Sequence, residues 1–199
     1  MNDYELRLRR PVEPGAPPQE RAGLWHYATT QWRRLFGLNV SQLDELLFLG
    51  GEFSPAQWPD LYMLGVRAVL SLQAEREDLF EGAPPERTLR LHVEDFHAPT
   101  IEQLQEAVAF IRAAHEDRLP VLVHCHAGVG RASITTSAYL MTQGMSHIEA
   151  FDRVRRARPI VALTEVQLLR LIEWGQHLLE RQTHDGGAAP LAASAAIID

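Results

Sequence analysis

Apolar positions along the chain repeat with two periods. Short runs at Leu46–Leu49, Val66–Leu72, Thr88–Val93 and Val121–Val123 have the length and β-branched content of strands. Longer segments carry apolar residues three and four apart. One starts at Ser54-Pro55, carries Trp58, Leu61, Tyr62 and Leu64, and stops at Gly65. A second is capped by Thr100, carries Ile101, Leu104, Val108 and Ile111, and ends near Glu116. A third begins near Ile134 and ends at Gly144; a fourth is capped by Ser146 and stopped by Pro159. The last opens at Thr164 with Val166, Leu168, Leu169, Leu171, Ile172, Trp174 and Leu178. Strands alternating with helices predict an α/β domain with a central, mostly parallel sheet flanked by helices. The strand at 88–93, the helix at 101–116 and the strand at 121–123 imply a parallel pair joined by a crossover helix. The loops after both strands then open on one sheet edge, where α/β domains bind ligands.

The 199 residues, 46% of them hydrophobic, suffice for one domain with extensions. The boundaries expected are a flexible, proline-rich tail over 1–19, a helical extension over 20–40, the domain over 41–182 and a disordered Gly/Ala-rich tail over 183–199. The extension carries Leu24, Tyr27, Ala28 and Leu35 among Trp25, Trp32, Arg33 and Arg34. That mixture suits packing on the domain's side in preference to a membrane surface. A net charge of −7 gives no general case for nucleic acid. No run reaches membrane-helix length and the N-terminus lacks a signal-peptide core, so a cytoplasmic setting is the expectation. One cysteine excludes an internal disulfide and any resolving partner.

That cysteine stands in the most informative stretch, Pro120–Ser137. A short apolar strand runs into His124-Cys125-His126-Ala127-Gly128-Val129-Gly130-Arg131 and then into a helix. Glycines let successive N–H groups converge, and the helix N-terminus adds partial positive charge, so the loop suits phosphate. The amides, the dipole and Arg131 all favour a Cys125 thiolate, which is the nucleophilic form. Arg131 can hold two phosphate oxygens with its planar fork. Cleaving a phosphate ester also needs a proton for the leaving oxygen. Glu94, Asp95 and His97 offer one from the loop on the same sheet edge. Gln73–Glu86 is a long polar loop that borders the cleft or is plain surface. The cluster Arg153, Arg155, Arg156 and Arg158 is a solvated face from which one arginine can line the cleft mouth.

The string H-C-x-x-G-x-x-R resembles the signature of the cysteine-dependent protein tyrosine phosphatase superfamily. Roughly from Leu46 to Leu179 the chain resembles its dual-specificity branch, and especially the mitochondrial phosphatidylglycerophosphate phosphatase group with its small prokaryotic relatives. The resemblance implies Cys125 as nucleophile, Arg131 as phosphate and transition-state ligand, and Asp95, with Pro99 downstream, as general acid. Glu94 is the runner-up for that role, and His97 would orient the loop or recognise substrate. His126, Ala127, Gly128, Val129 and Gly130 would form the phosphate-binding loop, and His124 would support it. Gln167 would position a water, or be an exposed helix residue. One departure stands out: the family usually has Ser or Thr after the arginine, and here Ala132 stands there with Ser133 next. Ser133 substitutes for that hydroxyl, or thiophosphate breakdown runs without it. Neither metal nor cofactor is implied. The expected activity is phosphomonoester hydrolysis through a cysteinyl-phosphate, on phosphorylated proteins (tyrosine and serine/threonine) or small phosphomonoesters. A lipid phosphate substrate and a low-turnover phosphate-recognising module stand as alternatives.

Overall fold

The computed structural model describes residues 37–186. The tail over 1–19, nearly all of the extension over 20–40 and the tail beyond 186 lie outside them. The strands are β1 (Val40–Gln42), β2 (Leu47–Gly50), β3 (Ala68–Gln73), β4 (Arg87–Val93) and β5 (Val121–His124). The helices are α1 (Trp58–Met63), preceded by a 3-10 turn at Pro55–Gln57, then α2 (Ile101–Glu116), α3 (Arg131–Met141), α4 (His147–Ala157) and α5 (Glu165–Gly186). α5 therefore continues past residue 182, where the domain was expected to end. β1 is a short edge strand, antiparallel to β2, that the apolar pattern does not reveal.

The sheet order is β1-β2-β5-β3-β4, with β2, β5, β3 and β4 all parallel. The expected pair, β4 and β5, do run in the same direction, but they are not neighbours. β3 lies between them, bonded to both. Its six residues are all buried, as are all four of β5, which is the mark of central strands.

The pleat sends alternate residues to opposite faces. Leu47, Leu49, Ala68, Leu70, Val121 and Val123 face the large core under α2–α5. Phe48, Val69 and Leu122 face a smaller core with Trp58, Leu61 and Val66. α3 is buried along its whole length, from Arg131 to Met141. Reciprocal caps fix where the neighbouring helices begin: Thr100 with Gln103 for α2, Ser146 with Glu149 for α4. The β3, β4 and β5 carboxyl ends thus present three loops on one edge.

Candidate active site

The loop 125–130 joins β5, the strand at the sheet's centre, to the N-terminus of buried α3. Cys125 continues β5 toward the large core and is 2% exposed. Its Sγ accepts the Gly128 N–H at 3.3 Å. Gly128 has φ +66, and a Cβ there would lie 2.3 Å from the Gly50 carbonyl oxygen. Only glycine serves at that turn. A Cβ on Gly130 would meet the Gln167 amide at 2.8 Å.

Arg131 is the first residue of α3 and 1% exposed. Its Nη1 donates to Glu75 Oε2 at 2.8 Å and to the Val93 carbonyl at 2.8 Å, and its Nη2 donates to Glu75 Oε1 at 2.7 Å. Asp95 Oδ1 lies 3.0 Å from the same Nη2. Nε, buried, has no partner. The guanidinium is thus held along one edge and keeps a donor for an incoming oxyanion. The Arg131 hydrogen bond holds the Glu75 carboxyl far below the usual carboxylate range, at about 2. Burial works to lower the Arg131 pKa, but Glu75, Cys125 and Asp95 together raise it.

The loop after β4 brings Asp95 to the cleft, so the two loops expected to share an edge do meet. Phe96, next in the chain, has φ +63, a left-handed conformation that costs a bulky residue about 1–2 kcal/mol. The loop is tied across the cleft: Thr164 Oγ1 donates to the Phe96 carbonyl at 3.4 Å and Gln167 Nε2 to the His97 carbonyl at 2.9 Å. Glu94 lines the same cleft, 3.8 Å from the His97 imidazole, and makes no ion pair with Arg131 among the described residues.

Gln167 is 1% exposed, so it is not a surface helix residue. Its Oε1 accepts the Thr164 N–H at 3.1 Å while Thr164 Oγ1 accepts the Gln167 N–H at 3.3 Å. Its amide is therefore engaged at both ends, in capping α5 and in holding the loop after β4. His124 faces the small core under the Phe53 ring, and its Nε2 pairs with Asp78 Oδ2 at 2.8 Å. His126 is half-exposed, its Nδ1 3.1 Å from Glu52 Oε2. Ala132 is fully buried, and the Ser133 hydroxyl donates to the Gly128 carbonyl at 3.4 Å. Among the hydrogen bonds of the described residues, Ser133 makes none to sulfur.

Three contributors escape a reading of motifs. Glu75 and Asp78 come from the long polar loop, which follows a parallel strand whose end opens on the ligand edge; that position is the signal that could have found them. Arg158 was grouped with a solvated face. It is 1% exposed, and its guanidinium donates to the Gly128 carbonyl at 2.7 Å and the Ala127 carbonyl at 3.0 Å. It therefore underpins the phosphate loop and does not line the cleft mouth. It thereby satisfies two buried carbonyls of the loop and fixes its backbone.

A buried cysteine under an N–H-lined turn, a clamped arginine and a carboxyl at its edge make a site for phosphoryl transfer. Residues 47–177 match the family model for the dual specificity phosphatase catalytic domain. The chain belongs to that family. It is 30% identical over 146 residues to human dual specificity protein phosphatase 4, covering 72% of this chain and 36% of that one. It thus spans about a third of the length of that relative. Among solved structures, Tk-PTP in its active form is 27% identical with a TM-score of 0.61, over 69% of this chain and 97% of its own. PTPMT1 in complex with PI(5)P is 24% identical with a TM-score of 0.65, over 72% and 98%. The latter likeness shows a shared fold. Cys125, at the head of the loop after β5, is the only cysteine of the chain.

Proposed function

We propose that this phosphatase acts on phosphorylated proteins, hydrolysing phosphotyrosine and phosphoserine or phosphothreonine through a cysteinyl-phosphate. The observation that carries the mechanism is the buried, unpartnered Nε of Arg131, a donor positioned for a phosphate oxygen. Cys125 Sγ attacks phosphorus as the bond to the ester oxygen breaks, and Asp95 gives that oxygen its proton. Loop amides and Arg131 hold the equatorial oxygens. Water then attacks phosphorus, Asp95 takes the water's proton, and the S–P bond breaks to return the thiolate and release phosphate.

The breadth of substrate is supported by the cleft itself. A cavity of about 470 Å³ is lined by Ala74, Glu75, Glu94, Asp95 and His126, and no aromatic wall among these deepens it. A shallow site admits short phosphoserine as well as phosphotyrosine. The fold shared with a phosphoinositide-bound phosphatase supports a lipid phosphate as the second reading. The carboxylates lining the cleft stand against it.

The test is hydrolysis of para-nitrophenyl phosphate and of phosphopeptides across pH. Cys125→Ser should abolish turnover. Asp95→Asn should cost about 10²–10⁴-fold on phosphopeptides and much less on para-nitrophenyl phosphate, whose leaving group needs less proton assistance. Full activity of the Cys125→Ser protein would overturn the mechanism.

A further inference from the structure

We propose that the cleft selects phosphomonoesters flanked by cationic groups, in particular phosphopeptides with arginine or lysine beside the phosphorylated residue. The inference rests on the phosphatase reading above and adds the chemical class of the substrate. It starts from the charges around the floor of the site. One guanidinium, Arg131, is shared by two carboxylates, Glu75 at 2.7 Å and Asp95 at 3.0 Å. The Glu75 carboxyl, held down at about 2 by Arg131, stays ionised at any working pH. Arg131 is thus more than neutralised before any substrate arrives.

The walls do not restore the balance. All of the chain's basic side chains other than histidine are arginines, since it contains no lysine. Arg76 lies 3.4 Å from Glu52, the same carboxylate that holds His126. Arg90 donates to the Gln73 and Ala74 carbonyls at the base of the loop after β3. Glu94, 79% exposed on the cleft wall, has the His97 imidazole as its ion-pair partner, at 3.8 Å. Glu75, Glu94 and Asp95 line the cleft with His126, against Arg131 at its floor and Arg158 buried beneath the phosphate loop. A phosphate dianion adds two negative charges to an already acidic cleft.

The site nevertheless holds a donor for that dianion: Arg131 Nε, on a side chain 1% exposed, has no protein partner. The combination is an oxyanion seat inside an acidic rim. Cations on the substrate would offset the repulsion and pair with the exposed Glu94 on the cleft wall. Acidic flanks, or an anionic lipid surface, would add to it.

The experiment compares two phosphotyrosine peptides of equal length, one flanked by arginine and lysine, the other by glutamate. Para-nitrophenyl phosphate, which has no flanks, reads the chemistry separately. At low ionic strength kcat/KM should favour the basic peptide by about tenfold, the effect of two or three exposed ion pairs. About 0.5 M salt should bring the ratio toward one by screening. Glu94→Gln should reduce the ratio severalfold at low salt. Equal kcat/KM for the two peptides, a preference for the acidic one, or faster cleavage of an inositol phospholipid monophosphate in vesicles would overturn the inference while leaving the phosphatase intact. Failure to turn over the peptides and para-nitrophenyl phosphate alike would remove both readings.

Discussion

At the scale of single residues, Ala132 sets the kinetic character of the site. A hydroxyl after the arginine would donate to sulfur as the thiophosphate breaks down, and the fully buried Ala132 has none. Ser133 does not make up the loss, because its hydroxyl is spent on the Gly128 carbonyl. Breakdown of the proposed cysteinyl-phosphate is therefore the step expected to be slow. Rapid-quench or stopped-flow hydrolysis of para-nitrophenyl phosphate should show a burst of about one equivalent, then slow turnover. Ala132→Ser should shrink the burst and speed the steady state by about 10- to 100-fold, the worth of a hydrogen bond to a charged group. An unchanged steady-state rate would mean that the missing hydroxyl is not limiting. This departure was legible in the sequence, because it lies one position from the motif. Whether Ser133 could replace it was not, since two adjacent helix residues point about 100° apart and only the packing decides which faces sulfur.

At the scale of elements, the start of α5 reaches across the cleft to hold the acid loop. Gln167 bonds to the His97 carbonyl, and Thr164 to that of Phe96, the strained residue next to Asp95. Gln167→Ala should therefore slow substrates with poor leaving groups, such as phosphoserine peptides, by about tenfold in kcat. It should spare para-nitrophenyl phosphate, whose leaving group needs less proton assistance. Equal losses on both substrates would assign Gln167 to folding alone. The helices and four of the strands could be read from periodicity and caps, because those signals are local. The edge strand β1 could not: three residues, Val40-Ser41-Gln42, carry no period, and pairing with β2 is what makes them a strand. The place of β3 between β4 and β5 was equally hidden, since a crossover helix fixes handedness and direction but not which strand is the neighbour. Glu75, Asp78 and Arg158 come from segments without a motif and acquire meaning only through long-range contacts.

For the whole molecule, two titrating contacts are lost on acidification, each in its own pH window. His115 donates or accepts at both ring nitrogens, 2.8 Å from the Tyr139 hydroxyl and 2.9 Å from the Leu46 carbonyl, tying α2 to α3 and the start of β2. Burial lowers its pKa below the ordinary 6.5. Its unfolded form thus binds protons first, so its contribution is complete above about 6.5 and is lost as pH falls from there toward the folded value. The Glu75–Arg131 clamp has the same sign of dependence but acts at lower pH. With the carboxyl depressed from 4.5 to about 2, its contribution persists above 4.5 and is lost only as pH falls toward 2. Thermal unfolding followed from pH 8 to pH 4 should show a decline beginning near 6.5 that His115→Gln reduces and Glu75→Gln does not. A decline unaltered by His115→Gln would place it elsewhere.

The contact between Asp95 and Arg131 also means that an arriving oxyanion meets a guanidinium already claimed by the protein's own carboxylates, Glu75 and Asp95. Each of them competes with the ligand for the same cation. Vanadate should therefore bind Asp95→Asn severalfold more tightly than the wild type in a calorimetric titration. Equal affinities would mean that the contact offers no competition. On this view the site is a latch, closed on itself until a phosphate opens it.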